Sequence, residues 1–158
     1  MNKLLLIICS CLFFVGAFAF NPQEAKLSKV GEGTLSYLFW DVYVVRYYKS
    51  DKVEALELEY LRDVERKYSI KGWKQGLENE KNIDKELEWL ISHAVDIKEG
   101  DKLRIYKYEG ENVLISKNGK TIAKKLGDKK LYRIVHMPWI GPEPVDSDLK
   151  KALLKSES

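Results

Sequence analysis

Leu38-Phe39-Trp40-Asp41-Val42-Tyr43-Val44-Val45-Arg46-Tyr47-Tyr48 is the stretch from which the fold is read. It is dense in aromatic and β-branched residues, which suit a pleated backbone better than a helix. On strict alternation, Leu38, Trp40, Val42 and Val44 share one face. Phe39, Asp41, Tyr43, Val45 and Tyr47 share the other. Both faces are largely apolar, which predicts a central strand covered on both sides. Asp41 would then be a buried carboxylate in need of a donor or an ionic partner. Arg46 and Arg62 are the candidates at neighbouring strand positions.

Working outward, β structure is expected from Ala25, interrupted at Gly31-Glu32-Gly33 by a bulge or bend where a side chain would not fit. After a turn at Lys49-Ser50-Asp51, Ala55 to Arg62 alternates cleanly. Leu56, Leu58 and Tyr60 point one way and Glu57 and Glu59 the other, so this strand should pack on one side only. The middle is helical: Ile70, Trp73 and Leu77 recur at helical spacing. Asn82 or Asp84 then caps a second helix striped by Ile83, Leu87, Leu90, Ile91 and Ala94. Three short strands follow, Leu103 to Tyr108, Asn112 to Lys117 and Lys120 to Leu126. They are joined through Glu109-Gly110-Glu111 and Asn118-Gly119, the latter a strong two-residue hairpin signal. Leu131, Ile134 and Val135 suggest a third helix ending near Pro138, and Ser147-Asp148 opens a last one. Strands, helices, strands, helices: the order predicts an α+β layer fold with helices on one face of an antiparallel sheet.

The N-terminus reads differently. Met1-Asn2-Lys3 is a positive head, Leu4 to Ala19 carries no charge, and Ala17-Phe18-Ala19 offers small residues at the cleavage positions. That is the pattern of a cleavable export signal, removed after Ala19. Two domains of use follow: 1–19 as signal peptide and 20–158 as one folded domain, placed in the periplasm or secreted. Cys9 and Cys11, the two cysteines of the chain, leave with the signal, so no disulfide, thiolate metal site or cysteine nucleophile is expected in the mature protein.

Charge adds little. The chain holds 27 Lys and Arg against 24 Asp and Glu, well mixed, as on an ordinary soluble surface. The local basic run of Lys117, Lys120, Lys124, Lys125, Lys129 and Lys130 has no interleaved aromatics. It reads as a solvated face rather than a nucleic-acid stripe, with peripheral contact to anionic lipid headgroups as the alternative. His93 and His136 lie at no metal-ligand spacing and read as structural. No phosphate loop, nucleophile elbow or zinc-binding helix is present, and no cofactor is implied. The polar residues left for a site are Asp41, an arginine and Tyr43 or Tyr60, in a cleft that Trp40 would help line.

Gly31-Glu32-Gly33-Thr34-Leu35, Leu38-Phe39-Trp40-Asp41-Val42-Tyr43 and Ala55 through Asp63 resemble, in order and spacing, the opening of the bacterial chalcone-isomerase-like domain. Gly100-Asp101, Asn118-Gly119-Lys120 and Trp139-Ile140-Gly141-Pro142-Glu143-Pro144 resemble its ending. The resemblance implies an open-faced β-sandwich, a large antiparallel sheet covered on one face by helices. The family's plant enzymes use an arginine and a threonine whose places here look to be held by Leu35 and Leu38. Neither side chain can polarise a ketone or orient water, so catalysis by that set is not expected. The fold also includes fatty-acid-binding members.

Three readings follow from this. One is a non-catalytic binder of a lipid, a fatty-acyl chain or another apolar small molecule, with Trp40, Asp41, Tyr43, Arg46, Tyr60 and Arg62 at the ligand. Another is an isomerase or lyase of unknown substrate using Asp41 and Tyr43. The third is a structural envelope module. Oligomeric state is left open.

Overall fold

The computed structural model describes residues 19–155; the expected export signal at 1–19 lies, but for Ala19, outside them. Six strands form one antiparallel sheet in chain order: β1 (Ser28–Tyr37), β2 (Trp40–Lys49), β3 (Val53–Tyr60), β4 (Lys102–Tyr108), β5 (Asn112–Lys117) and β6 (Lys120–Lys125). Between β3 and β4 lie α1 (Arg66–Gly76) and α2 (Asp84–Ser92); after β6 come α3 (Lys129–Ile134), α4 (Met137–Ile140) and α5 (Ser147–Leu153). The α+β, helix-covered sheet expected from the element order is what the chain forms.

The inner face of the sheet carries Val45, Tyr47, Leu56, Leu58, Tyr60, Ile105, Val113 and Ile115, packed against Leu77, Ile83, Leu90, Leu131, Ile134, Trp139, Leu149 and Leu153 of the helical layer. A smaller outer cluster of Val53, Ala55, Tyr106, Tyr108 and Leu114 is covered by Ala25 and Leu27 from the N-terminal segment. That segment is anchored. Phe20 packs on Tyr108 with ring centroids 6.0 Å apart. Gln23 donates from Nε2 to the Gly119 carbonyl at 2.9 Å.

The glycine pair in β1 has the expected reason. Gly31 follows a register slip between Lys29 and Gly31, and α5 crosses it so closely that a Cβ there would sit 2.2 Å from the Ala152 carbonyl oxygen. Only a residue without a side chain lets the terminal helix lie on this edge.

Several expectations are corrected. Leu38 and Phe39 are not strand but the turn of the β1–β2 hairpin, and Leu38 takes a positive φ of 58°. The hairpin outruns its neighbour: the last β2–β3 ladder pair is Tyr43–Tyr60, one more bond runs from Leu61 N–H to the Val42 carbonyl at 2.9 Å, and Ser36 to Asp41 beyond it are exposed. The β3 strand is buried on both sides at Val53, Ala55 and Glu57 rather than on one. Neither Asn82 nor Asp84 caps α2 through its side chain. Asn82 instead turns the chain at φ 58°, and its carbonyl accepts from Lys130 Nζ at 3.1 Å. Pro138 does not end a helix; it sits in the first turn of α4, where a missing N–H costs nothing. The lysines 120, 124 and 125 are exposed on or at the ends of edge strand β6, where charge discourages pairing with another sheet.

Candidate functional site

The polar residues singled out from the sequence separate into three places. The decisive event is a register slip between Leu35 and Ser36. Leu35 pairs with Tyr43 but Ser36 pairs with Asp41, one β2 residue being passed over. Beyond this bulge the alternation reverses. Tyr43 faces the helices, whereas Asp41 lies on Ser36's side of the hairpin. Asp41 is therefore exposed, not buried, and its partner is neither arginine but Ser36, whose Oγ donates to it at 2.6 Å.

Arg46 lies on the outer face, in an ionic ladder across four strands. Its Nε donates to Glu32 at 2.6 Å, and its Nη1 to Glu57 at 3.1 Å and to Glu59 at 2.5 Å. Glu57, only 3% exposed, also accepts from Arg104 Nε at 2.5 Å. Two guanidiniums laid across it are what bury this carboxylate without leaving it unpaired. Hydrogen bonding to Arg46 holds Glu32 and Glu59 below the usual carboxylate range. The same bonds, that to Glu59 foremost, raise Arg46. These arginine donors are committed to carboxylates of the chain itself, so the ladder reads as a clamp holding four strands.

Trp40 and Arg62 meet at the end of the sheet, the Arg62 guanidinium 4.7 Å over the indole centroid. Tyr43 and Tyr60 meet inside. Their rings are 5.2 Å apart, edge to face, and the Trp139 indole Nε1–H donates to the Tyr43 hydroxyl at 3.1 Å. Trp139 in turn meets Trp73 of α1 edge-on at 5.6 Å. Burial raises the Tyr43 phenol to about 12 and also raises that of Tyr60. Both therefore stay neutral and neither serves as a base near neutral pH. Leu35, half-buried, packs on this same inner cluster, while Leu38 points outward at the hairpin turn, 76% exposed.

The inner cluster is thus an aromatic layer with one internal hydrogen bond, which α1 meets through Trp73 on Trp139 of α4. Helix α1 is pinned at its start, where Arg66 donates to Asp96 and to the Ala94 and Ile91 carbonyls, and lightly seated along its length. None of the residues of α1 is buried; it leans on the core through half-buried Trp73 and on α4 through Gly76, whose missing side chain admits Pro138. Trp73 and Trp139 were not singled out from the sequence as site residues. The signal available was the Trp73 position on the apolar stripe of α1, which reads equally as core.

Elsewhere on the inner side, near α3, sits a second buried polar spot. His136, 2% exposed, is bonded through Nε2 to the Ile105 carbonyl at 2.8 Å. A carbonyl can only accept, so Nε2 carries the proton. Its Nδ1 has no hydrogen-bond partner and lies 4.0 Å from Glu54 Oε2, which Lys107 Nζ approaches to 3.4 Å. Beside it is a surface hollow of about 220 Å³ bordered by Glu54, Lys107 and Tyr132. A wider hollow of about 420 Å³ lies against Pro142, Lys150 and Leu154. Among the described residues no cluster of three or more metal-ligating side chains occurs, and no helix is long and apolar enough to cross a membrane.

No curated protein matches the chain. Among solved structures, the crystal structure of a fatty-acid binding protein from Arabidopsis thaliana is similar to it with a TM-score of 0.66 and 16% identity, over 87% of this chain and 91% of that one. At this identity the likeness is one of fold. The model of the chalcone isomerase-like family matches residues 19–155, and the chain belongs to that family.

Proposed function

We propose that the protein is an exported, non-catalytic binder of a lipid, a fatty-acyl chain or another apolar small molecule, taken into the layer between the sheet and α1. The observation that carries this is the cover itself: a helix with no buried residue meets the aromatic inner cluster through Trp73 on Trp139. Moving it aside opens apolar surface while sacrificing few core contacts. In the closed form Tyr43, Tyr60, Trp73 and Trp139 fill the space, so binding requires α1 to shift, and the ligand's burial offsets that opening. The Tyr43 hydroxyl and the Trp139 N–H, one bonded to the other, are the polar groups available to a ligand's head once parted. The likeness of fold to a fatty-acid binding protein agrees with this reading. The acid/base alternative has less to stand on, since Asp41 and Tyr43 face opposite sides of the sheet. Export is supported by the anchored start of the domain, with Phe20 already docked on Tyr108 directly after the expected cleavage point.

The test uses the tryptophans of the site. Titration with oleate should change the fluorescence of Trp73 and Trp139, and native mass spectrometry should find one acyl chain per protein. Saturating ligand should raise the melting temperature by mass action. An unchanged spectrum and mass across saturated and unsaturated fatty acids would remove the proposal. Intact mass of protein recovered from cells expressing the full chain tests export: an N-terminus at Phe20 is expected.

A further inference from the structure

The β1–β2 hairpin ends in four consecutive large apolar residues, each more than half exposed among the described residues. Tyr37, Leu38, Phe39 and Trp40 are 67, 76, 96 and 59% exposed. They stand beyond the Tyr43–Tyr60 pair, where β3 stops. After a last bond from Leu61 N–H to the Val42 carbonyl, two residues of strand carry the apex roughly 7 Å past the neighbouring chain. It is a convex point, not a groove.

The turn chemistry is informative, because the same chain builds other hairpins. At Asn118-Gly119 and Gly110-Glu111 the left-handed backbone positions go to glycine or to polar residues, the ordinary choice. At the β1–β2 turn the left-handed position is given to Leu38, at φ 58°. A leucine there is held against its local preference, and Phe39 beside it is almost bare. Stability of the turn does not explain this pair of side chains.

The order of residues does. Leu38 and Phe39, fully apolar, form the apex, while Tyr37 and Trp40 face each other one step behind it as a ladder pair. Tyrosine and tryptophan gather at the level of lipid headgroups, with aliphatic and phenyl groups deeper. Beside Trp40 lies the Arg62 guanidinium, a cation at the depth where anionic headgroups sit. The carboxylates adjacent in sequence are already engaged, Asp41 by Ser36 and Asp63 by Lys98 and the Glu99 N–H. An apex of this reach matches the roughly 5–10 Å to which interfacial elements sink.

We infer that the Tyr37–Trp40 hairpin tip is a lipid-surface anchor, inserting Leu38 and Phe39 into the outer part of a bilayer leaflet with Tyr37, Trp40 and Arg62 at the headgroups. It is separate from the cleft under α1 and does not depend on it. In this arrangement the protein docks with the end of its sheet toward the membrane.

The experiment is co-sedimentation with vesicles of phosphatidylethanolamine containing a minority of phosphatidylglycerol, using protein recovered from expression of the full chain. The key variant is Leu38→Gly/Phe39→Asn, which gives the one positive-φ position of this turn to glycine and so preserves or improves folding. Wild type should bind, with Trp40 fluorescence quenched by brominated acyl chains and this quenching lost in Trp40→Phe. The double variant should bind at least tenfold more weakly. Arg62→Gln should weaken binding several-fold on these vesicles and little on pure phosphatidylcholine. Failure of wild type to bind, or equal binding by the double variant, overturns the inference. So does sedimentation velocity showing that wild type self-associates through the tip while the double variant is monomeric. The double variant should still bind free oleate, so a failed cleft and a failed anchor give different results.

Discussion

Acidification tests the buried His136 most directly. Burial, helped by the nearby Lys107 charge, pushes its imidazole from 6.5 down to about 3. The groups around it come from several elements: Glu54 on β3, Lys107 on β4, the Tyr47 ring on β2 and the Ile105 carbonyl. The native ring is therefore neutral, whereas the unfolded chain takes up a proton below about pH 6.5. Between the two values the unfolded state binds more protons, so stability is intact above pH 6.5 and drains away as pH falls toward 3. Two pH units of full difference, at about 1.4 kcal/mol each, give a loss of about 3 kcal/mol by about pH 4.5. Urea unfolding near neutrality and at about pH 4.5 measures it in wild type and in His136→Gln. The glutamine amide can still donate to the Ile105 carbonyl, but carries no titrating group. The variant should lose about 3 kcal/mol less on acidification than wild type, whatever its starting stability. The carboxylates lowered by their partners, among them Asp101 at about 2 through the Lys98 backbone N–H, lose their contribution at lower pH and equally in both proteins. NMR of the native imidazole gives a second reading, with no titration of His136 expected down to about pH 4.5. Equal acid loss in both proteins, or a His136 resonance that titrates near 6.5, would refute the burial argument.

Two further outcomes follow from the packing. Gly31→Ala places a methyl against the Ala152 and Leu153 carbonyls. It should cost about 1–3 kcal/mol by forcing α5 away, a drop of roughly 2–4 °C in Tm per kcal/mol for a chain of this size; a Tm within a degree of wild type contradicts the close approach. Glu57→Gln removes the charge from under Arg46 and Arg104 and should cost about 3 kcal/mol. The more exposed Glu59→Gln should cost under about 1 kcal/mol, and equal effects of the two in denaturant titrations would show that burial of Glu57 does not matter.

The layer architecture was legible in the sequence because each strand and helix carries its own period. Leu56-Leu58-Tyr60 and Val113-Ile115 alternate, Ile83-Leu87-Leu90 recurs at helical spacing, and Asn118-Gly119 marks its turn. Gly31 was legible as a place where a side chain would not fit, though not what fills it. The family, too, could be recognised from short motifs in order along the chain. The site was less legible. Alternation carried from Tyr43 back to Asp41 assumes an unbroken ladder, and a single bulge at Leu35/Ser36 reversed it. That moved the carboxylate from the core to solvent and gave it to a serine.

What the sequence determines by itself is therefore what depends on neighbours along the chain: the period of each element and the turns with strong signals. Only the tertiary structure decides what depends on where neighbouring strands stop. Glu57 is buried because β2 and β4 bring arginines across it, and Leu38-Phe39 is bare because β3 ends at Tyr60. The same apolar residues that read as a core strand become an exposed point when the strand beside them runs out, since burial belongs to the partner surface and not to the side chain.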